Sequence, residues 1–408
     1  MYTVYVKNGT DDRVCIYDPV SPSEKLTLIS PKLVMEDNAA GSFSAVIPQT
    51  NIGYDIVKRL ISDIIICRKV DNSEKVIWTG RIMNENDDFY GNRSIECEGA
   101  LAFLNDSYQL QQKYLINKKN DKSVNVIAQF LKSLLDVHNA SVNENRKIYL
   151  GNVTVTDKNN YLYRYTNFDT TFNTIVEKLV NRLGGHLVIR YSGDIAYLDY
   201  IADYHEFADN SQTIDFGYNL LDFTKQWDMS YFASAVLPLG KQLDDEEGES
   251  PTGVDENSLS GDDDDLKVLE KYVTVEELND SQSPSGSFYV KAKNQETIDI
   301  YGWIAVKIQW DNIAKPETLL EKAKEYLKSL QFDSMYLEVT AFDLSEMNVD
   351  YKEIGLLDTV QVYSNPHGLN KKFPVTKLEI PMDDPSGMSF GMGVQVYQPL
   401  TGLINNSK

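Results

Sequence analysis

Apolar and polar residues alternate over most of the first hundred positions. Tyr2 to Val6 alternates, and Arg13 to Tyr17 puts Val14 and Ile16 on one face. Leu26–Met35, Ser42–Ile47, Ile64–Val70, Lys75–Met83 and Ser94–Glu98 continue the pattern. A period of two sends successive side chains to opposite faces of a strand. Turn residues separate the runs: Asn8-Gly9, Asp18-Pro19, Ala40-Gly41, Asp71-Asn72-Ser73 and Tyr90-Gly91-Asn92. Residues 1–105 therefore read as a small antiparallel barrel or sandwich of about six or seven strands. The stripe Ile56, Val57, Leu60 and Ile61 predicts one short helix from Tyr54 to Ser62.

From residue 106 the period changes. Val124, Ile127, Ala128, Leu131, Leu134 and Leu135 share a helical face, predicting a helix from Ser123 to Val137. Phe172, Ile175, Val176, Leu179, Val180 and Leu183 predict a second, with Thr170 as cap and Gly184-Gly185 as stop. His186–Arg190 and Asp194–Tyr200 read as a hairpin across Ser192-Gly193. Residues 106–220 thus form a mixed α+β domain.

Residues 241–265 hold eleven acidic residues and one lysine, and read as an exposed flexible loop. It opens an inserted α+β domain, 241–334. There Ile298–Trp310 reads as a strand pair or one long strand, and Lys315-Pro316 opens a helix with the stripe Leu319, Leu320, Ala323, Tyr326, Leu327 and Leu330. Glu321–Lys324 and Glu325–Lys328 are spaced to pair on its wet face. Met335–Phe342, Asp358–Tyr363, Phe373–Pro381 and Met388–Gln398 return to strand, and Phe223–Leu237 reads as one more. Residues 221–240 with 335–400 form a second strand-rich block, expected to be a barrel similar to the first; 401–408 is a tail.

Composition narrows the function. The chain has 408 residues, 42% apolar, and tyrosine (25) exceeds phenylalanine (15), as in a folded, strand-rich protein. The formal charge of −22 opposes any general grip on phosphate backbones or anionic membranes. Cys15, Cys67 and Cys97 form no even framework and read as small buried hydrophobes on strands. Met1–Lys7 lacks the basic and apolar regions of a secretory signal, and Ile64-Ile65-Ile66-Cys67 is strand-sized, so a soluble chain made in a cytoplasm is expected.

Candidate chemistry is sparse. His138, His186, His205 and His367 lie far apart, without zinc spacing. Gly387-Met388-Ser389-Phe390-Gly391 fits G-x-S-x-G, but turn and strand residues flank it where a nucleophile elbow needs a helix. The runs Asp244–Glu247 and Asp262–Asp265 lack the EF-hand pattern. No P-loop occurs, and Gly391-Met392-Gly393 opens no helix. Glu96 and Glu98 flank Cys97 on one strand face, read as wet. No catalytic, cofactor-binding or metal-binding residue is assigned, no cofactor is expected, and a scaffold is favoured over an enzyme within these residues.

Several stretches together resemble the hub region of phage tail-tip proteins, also called tail-associated lysins or prophage tail endopeptidases. They are Trp78-Thr79-Gly80-Arg81-Ile82, Asp88-Phe89-Tyr90-Gly91, and Ile95-Glu96-Cys97-Glu98-Gly99-Ala100-Leu101-Ala102-Phe103-Leu104-Asn105-Asp106-Ser107. Pro238-Leu239-Gly240-Lys241, Tyr301-Gly302, Lys315-Pro316-Glu317-Thr318-Leu319-Leu320, Val360-Gln361-Val362 and Pro366-His367-Gly368-Leu369 follow in order. Where the family often has Leu-Gly-Asp, this chain has Leu356-Leu357-Asp358.

The resemblance implies an α+β, mainly antiparallel β fold: a multidomain baseplate-hub-like protein with two small β-barrels and two mixed α/β domains. It implies a homotrimer whose six barrels match a sixfold tail tube and permit DNA passage. Implied partners are the distal tail protein, the tape measure protein or tail tube, and tip or receptor-binding proteins. DNA is present only in transit, and there is no membrane anchoring. The implied location is the virion tail tip, assembled in the bacterial host cytoplasm. The lytic region that often follows such hubs is expected to be missing. Three other readings stand beside this one: a cell-wall-degrading tail enzyme, tested at Ser389 and Glu96; a carbohydrate-binding adhesin; and the hub of a contractile bacteriocin or injection device. Tyr161, Tyr163 and Tyr165, which would serve an adhesin, read as packing residues.

Overall fold

The first strands form where alternation lets a sheet bury one face. In the computed structural model these are β1 (Tyr2–Asn8), β2 (Val14–Tyr17), β3 (Ile29–Glu36), β4 (Ser42–Ile47), β5 (Ser62–Val70), β6 (Ser73–Asp87) and β7 (Arg93–Gly99). On β4, Phe43, Ala45 and Ile47 are buried while Ser42 and Ser44 face out. On β5, residues 62–68 are all buried, so both faces are covered and the run Ile64-Ile65-Ile66-Cys67 needs no polar alternation. The structure describes residues 1–9, 11–70, 73–119, 121, 123–157, 160–207, 209–227, 233–243, 271–275, 288–291, 302–310, 313–329, 335–347 and 351–393.

The helix expected over Tyr54–Ser62 is a series of turns. The Asn51 side chain donates to the Ile16 and Thr27 carbonyls (2.8 and 2.7 Å) and accepts from the Gly53 N–H (2.7 Å). Such side-chain bonds offer the backbone an alternative to a helix. Leu60 stands at φ +62°, and of the expected stripe only Val57 is buried.

Next come β8 (Gln112–Asn117), α1 (Val126–Ser141), β9 (Ile148–Val153), β10 (Tyr161–Thr166), α2, β11 (His186–Ser192) and β12 (Ile195–Ile201). α1 starts three residues later than expected because the Asn125 side chain caps it, accepting from Ile127 N–H at 2.9 Å. α2 runs through Thr171–Ile175, Val176–Val180 and Asn181–Leu183, its middle turn widened to a π-helix. Thr170 caps it as expected, and Gly184 (φ +72°) ends it. β11 and β12 form the expected hairpin, and β9 adds to β12 in parallel. Phe130, Leu131, Leu134, Ile148, Leu162, Ile175, Leu179, Leu198 and Tyr200 make one core.

The later strands are β13 (Asp209–Asp215), β14 (Leu220–Trp227), β15 (Met335–Ala341), β16 (Thr359–Ser364), β17 (Leu369–Pro381) and β18 (Ser389–Met392). One 13-stranded sheet contains the order β14-β15-β18-β17-β3-β4-β7-β6-β5-β1-β2, with β16 pairing β17 and β13 pairing β16. β17 pairs antiparallel with β3 from Lys377↔Glu36 to Pro381↔Lys32. The two strand-rich blocks, far apart in sequence, are therefore hydrogen-bonded into one mostly antiparallel sheet. Alternation fixes which face of a strand is buried but not its partner, so this joint was not readable.

The described residues fall into two compact units, one within Met1–Gln226 and Tyr336–Gly393 and the other within Trp227–Met335. In the second unit, Ala235–Leu239 pairs in parallel with Ala305–Gln309 and antiparallel with Val290–Lys291. Its helix, Pro316–Ser329, buries Leu319, Ala323 and Leu327 against Val236, Val273, Val275 and Val290. On the wet face Lys322 pairs with Glu325 at 3.6 Å, and the expected Glu325–Lys328 pair involves a side chain outside those described. The single strand expected over Phe223–Leu237 is two, β14 and Ala235–Leu239. The expected strand over Ile298–Trp310 is Ala305–Gln309 among the described residues. Both acidic runs, the end of the Met388–Gln398 strand and the 401–408 tail lie outside the described residues. Among the described residues, no helix is long and apolar enough to cross a membrane.

Candidate functional site

Two of the stretches that carry the resemblance, 78–82 and 95–107, meet around one tryptophan. Trp78 on β6 is 4% exposed, and its indole N–H donates to the Ala40 carbonyl at 3.3 Å. Gly80 and Gly99 face each other across β6 and β7. A Cβ on Gly80 would collide with the Trp78 ring and the Glu98 carbonyl. One on Gly99 would collide with the Ala40 carbonyl and stand 2.8 Å from the indole nitrogen. Both glycines thus make room for the ring and for a neighbouring backbone. Beside them Arg81 donates to Glu98 (2.7 Å) and Asp106 (2.9 Å) and lies over the Phe103 ring. Glu98 is therefore an ion-pair partner, and Glu96 accepts from Asn84 at 2.9 Å. At the departure from the family pattern, Leu357 takes the glycine-like conformation (φ +68°) with its side chain fully buried.

Three histidines, His138, His186 and His367, hold polar contacts. His138, fully buried on α1, sits 2.8 Å from Ser107 Oγ through Nδ1 and 3.1 Å from the Arg146 carbonyl through Nε2. A carbonyl only accepts, so Nε2 carries the proton and Nδ1 accepts from Ser107. Ser107 Oγ lies 2.7 Å from Thr171 Oγ1, which accepts from Gln109 Nε2 at 2.8 Å. This Ser–His contact, 31 residues apart, gave no sequence signal. Its members are at most 2% exposed, so no substrate reaches them. The Arg146 guanidinium pairs with Asp63 on β5 and lies 4.4 Å from the Phe103 ring centroid. Asn145 Nδ2 donates to the other Asp63 oxygen at 2.9 Å.

Burial pushes the His138 pKa down, because charging the sealed ring costs hydration. The unfolded chain then binds a proton that the folded chain refuses. The His138 contribution is flat above the ordinary value near ~6.5 and costs stability as pH falls below it, until the folded ring also protonates. The urea midpoint should fall from neutral to mildly acidic pH by less in His138→Gln than in the parent. An equal fall in both would contradict this.

His186 pairs with Asp37 at 2.8 Å, and His367 with Ser364 Oγ at 2.7 Å, its ring edge to face with Phe216 and Phe223. His205 lies in the 3-10 turn Tyr204–Glu206. Ser389 sits inside β18, opposite Thr340 and Glu379, after the 3-10 turn Pro385–Gly387. That is turn into strand, without the elbow a serine nucleophile needs. Cys15, Cys67 and Cys97 are free thiols on β2, β5 and β7. Burial pushes the Cys67 thiol up to about 11, away from reactivity. Among the described residues no group of three His, Cys, Asp or Glu side chains could hold a metal.

Two exposed features remain. At the β6–β7 tip the Asp88 carboxylate accepts from the Tyr90 and Asn92 N–H groups (both 2.8 Å). This fixed turn holds Phe89 (96% exposed) and Tyr90 (81%) edge to face, 5.5 Å apart. On β10, Tyr163 (37% exposed) and Tyr165 (54%) face outward, so the reading as packing residues is corrected for these two, while Tyr161 is half-buried. Alternation marked the strand correctly but did not reveal that β8 and β10 are a two-stranded ribbon with one open face.

Residues 208–393 match the family model described as prophage endopeptidase tail. No curated protein matches in sequence. Among solved structures, the chain is similar to the 43 kDa tail protein of prophage MuSo2 from Shewanella oneidensis, at 10% identity and a TM-score of 0.60, covering 97% of this chain and 98% of that one. It is also similar to the tail protein from Neisseria meningitidis MC58, at 13% identity and 0.58, over 97% of both. A third is prophage tail protein gp18 from Listeria monocytogenes EGD-e, at 12% and 0.52, over 98% and 97%. The resemblance to phage tail proteins therefore holds, in sequence over residues 208–393 and in fold along the chain.

Proposed function

We propose that this phage-tail-type chain is a structural hub at the tail tip of a phage or prophage. The observation that carries it is the pairing of the family match over 208–393 with the prophage tail-protein fold over nearly the whole length. On this reading three chains assemble into a ring, each contributing two small barrels that share the sheet through the β17–β3 joint. The ring closes or continues the tail tube, docks on the distal tail protein and holds tip proteins on its other side. DNA passes through the centre, where acidic side chains from chains of charge −22 would repel it and keep it from sticking. The buried polar joints at His138 and Asp63 suit a rigid scaffold rather than a catalyst.

Docking needs an anchor, and Phe89 with Tyr90 fits one: two aromatics held bare on a fixed tip. The full chain mixed with the distal tail protein of the same phage genome should form a complex by size-exclusion chromatography. Phe89→Ser with Tyr90→Ser should weaken it at least about tenfold, with the unfolding midpoint unchanged. Failure of the parent to form the complex would count against the docking reading.

A further inference from the structure

The outer face of the β8–β10 ribbon is unexplained by a scaffold role. β10 pairs antiparallel with β8, placing Tyr161 opposite Asn117, Tyr163 opposite Leu115 and Tyr165 opposite Lys113. The inner face is filled: Leu162, Tyr114 and Thr166 are 1%, 9% and 2% exposed. The outer face carries three tyrosines, spaced about 7 Å apart by strand geometry. Lys113 Nζ lies 5.0 Å from the Tyr163 ring centroid, and Lys119 Nζ 4.7 Å from that of Tyr161. The rings of Tyr163 and Tyr165 meet edge to face at 5.0 Å, with their hydroxyls hydrogen-bonded. Where the ribbon bends, Gln111, Gln112, Lys113, Tyr165, Thr166 and Asn167 line an open depression of about 460 Å³. Gln111 Nε2 donates to Asn167 Oδ1 at 2.9 Å, setting one amide against another in its wall.

We infer that this face binds a neutral saccharide chain, with one sugar unit in the open depression beside Tyr165 and the next along Tyr163. The ligand class follows from the lining. A sugar ring presents C–H groups on its faces and hydroxyls at its rim. The electron-rich face of a tyrosine attracts the C–H groups. Amide side chains both donate to and accept from hydroxyls, and an ammonium donates.

Two other ligand classes fit less well. Aromatic rings with lysines also suit single-stranded nucleic acid, but a chain of charge −22 opposes a polyanion and leaves a neutral sugar unaffected. A protein partner needs about 800 Å² per side for a stable interface. Six paired positions give a strip of roughly 20 by 10 Å, near 200 Å².

The test is a glycan array of neutral and acidic bacterial-wall saccharides probed with the full chain, followed by calorimetry on the best neutral hit. Binding in the millimolar range or tighter is expected, unchanged between about 50 and 300 mM salt, since no counterions are released. Tyr165→Ala and Gln111→Ala should each weaken it at least about tenfold, and Tyr90→Ala should not. Unfolding midpoints of all three variants should match the parent, which separates lost binding from lost fold. Three outcomes overturn the proposal: no neutral saccharide captured; capture indifferent to Tyr165; or steeply salt-dependent binding of an oligothymidine. A Tyr165→Ala variant whose only change is its solution mass would mark the face as a protein interface instead, also against the proposal. None of these readouts depends on the chain being a hub.

Discussion

Gly99→Ala is expected to destabilise the fold by about 3 kcal/mol or more, measured by urea unfolding of the full chain. The new methyl would enter space held by the Ala40 carbonyl and the Trp78 indole. Neither can yield cheaply. The carbonyl belongs to the turn leading into β4, where Gly41 sits at φ +68° and accepts from the Gly99 N–H at 3.2 Å. The indole is sealed in the core and spends its only donor on that same carbonyl. Shrinking the ring in Gly99→Ala/Trp78→Leu would relieve one collision and leave the other, so rescue should be partial. A loss below about 1 kcal/mol for Gly99→Ala alone would show that the turn moves freely, and would undo the account of these glycines.

Arg146→Ala should cost about 3–5 kcal/mol, because it leaves the Asp63 carboxylate buried without its cation. Both residues are 8% exposed, so water does not replace the missing partner. Asn145 would remain as one neutral donor to Asp63. Replacing both charges, in Asp63→Leu/Arg146→Met, should recover most of the loss, since the desolvation cost of the pair disappears with it. The His138 contact is to the Arg146 carbonyl and survives all these substitutions. Single-mutant losses that simply add in the double variant would contradict a coupled pair.

The sequence showed elements better than partners. The alternation of Phe43, Ala45 and Ile47, the Thr170 cap and the Gly184 stop each act over a few residues, and each appears in the fold as read. The failures are long-range. The Asn51 side chain reaches back to the Ile16 and Thr27 carbonyls, and turns a helical-looking stripe into turns. β17 finds β3 more than three hundred residues away, which no local pattern encodes. The same holds for the sites. Ser107 meets His138, and Asp63 meets Arg146, only after separate elements pack. The ribbon tyrosines were visible as a period-two run, yet whether that face is covered depends on what does not pack there.

The measurement that most directly tests the hub reading is the solution mass of the full chain by light scattering, alone and with the distal tail protein. A mass near three times the 46.3 kDa chain, alone or on adding the partner, is the predicted result. A single-chain mass under both conditions would contradict it, since one chain cannot form the ring that closes or continues a tail tube.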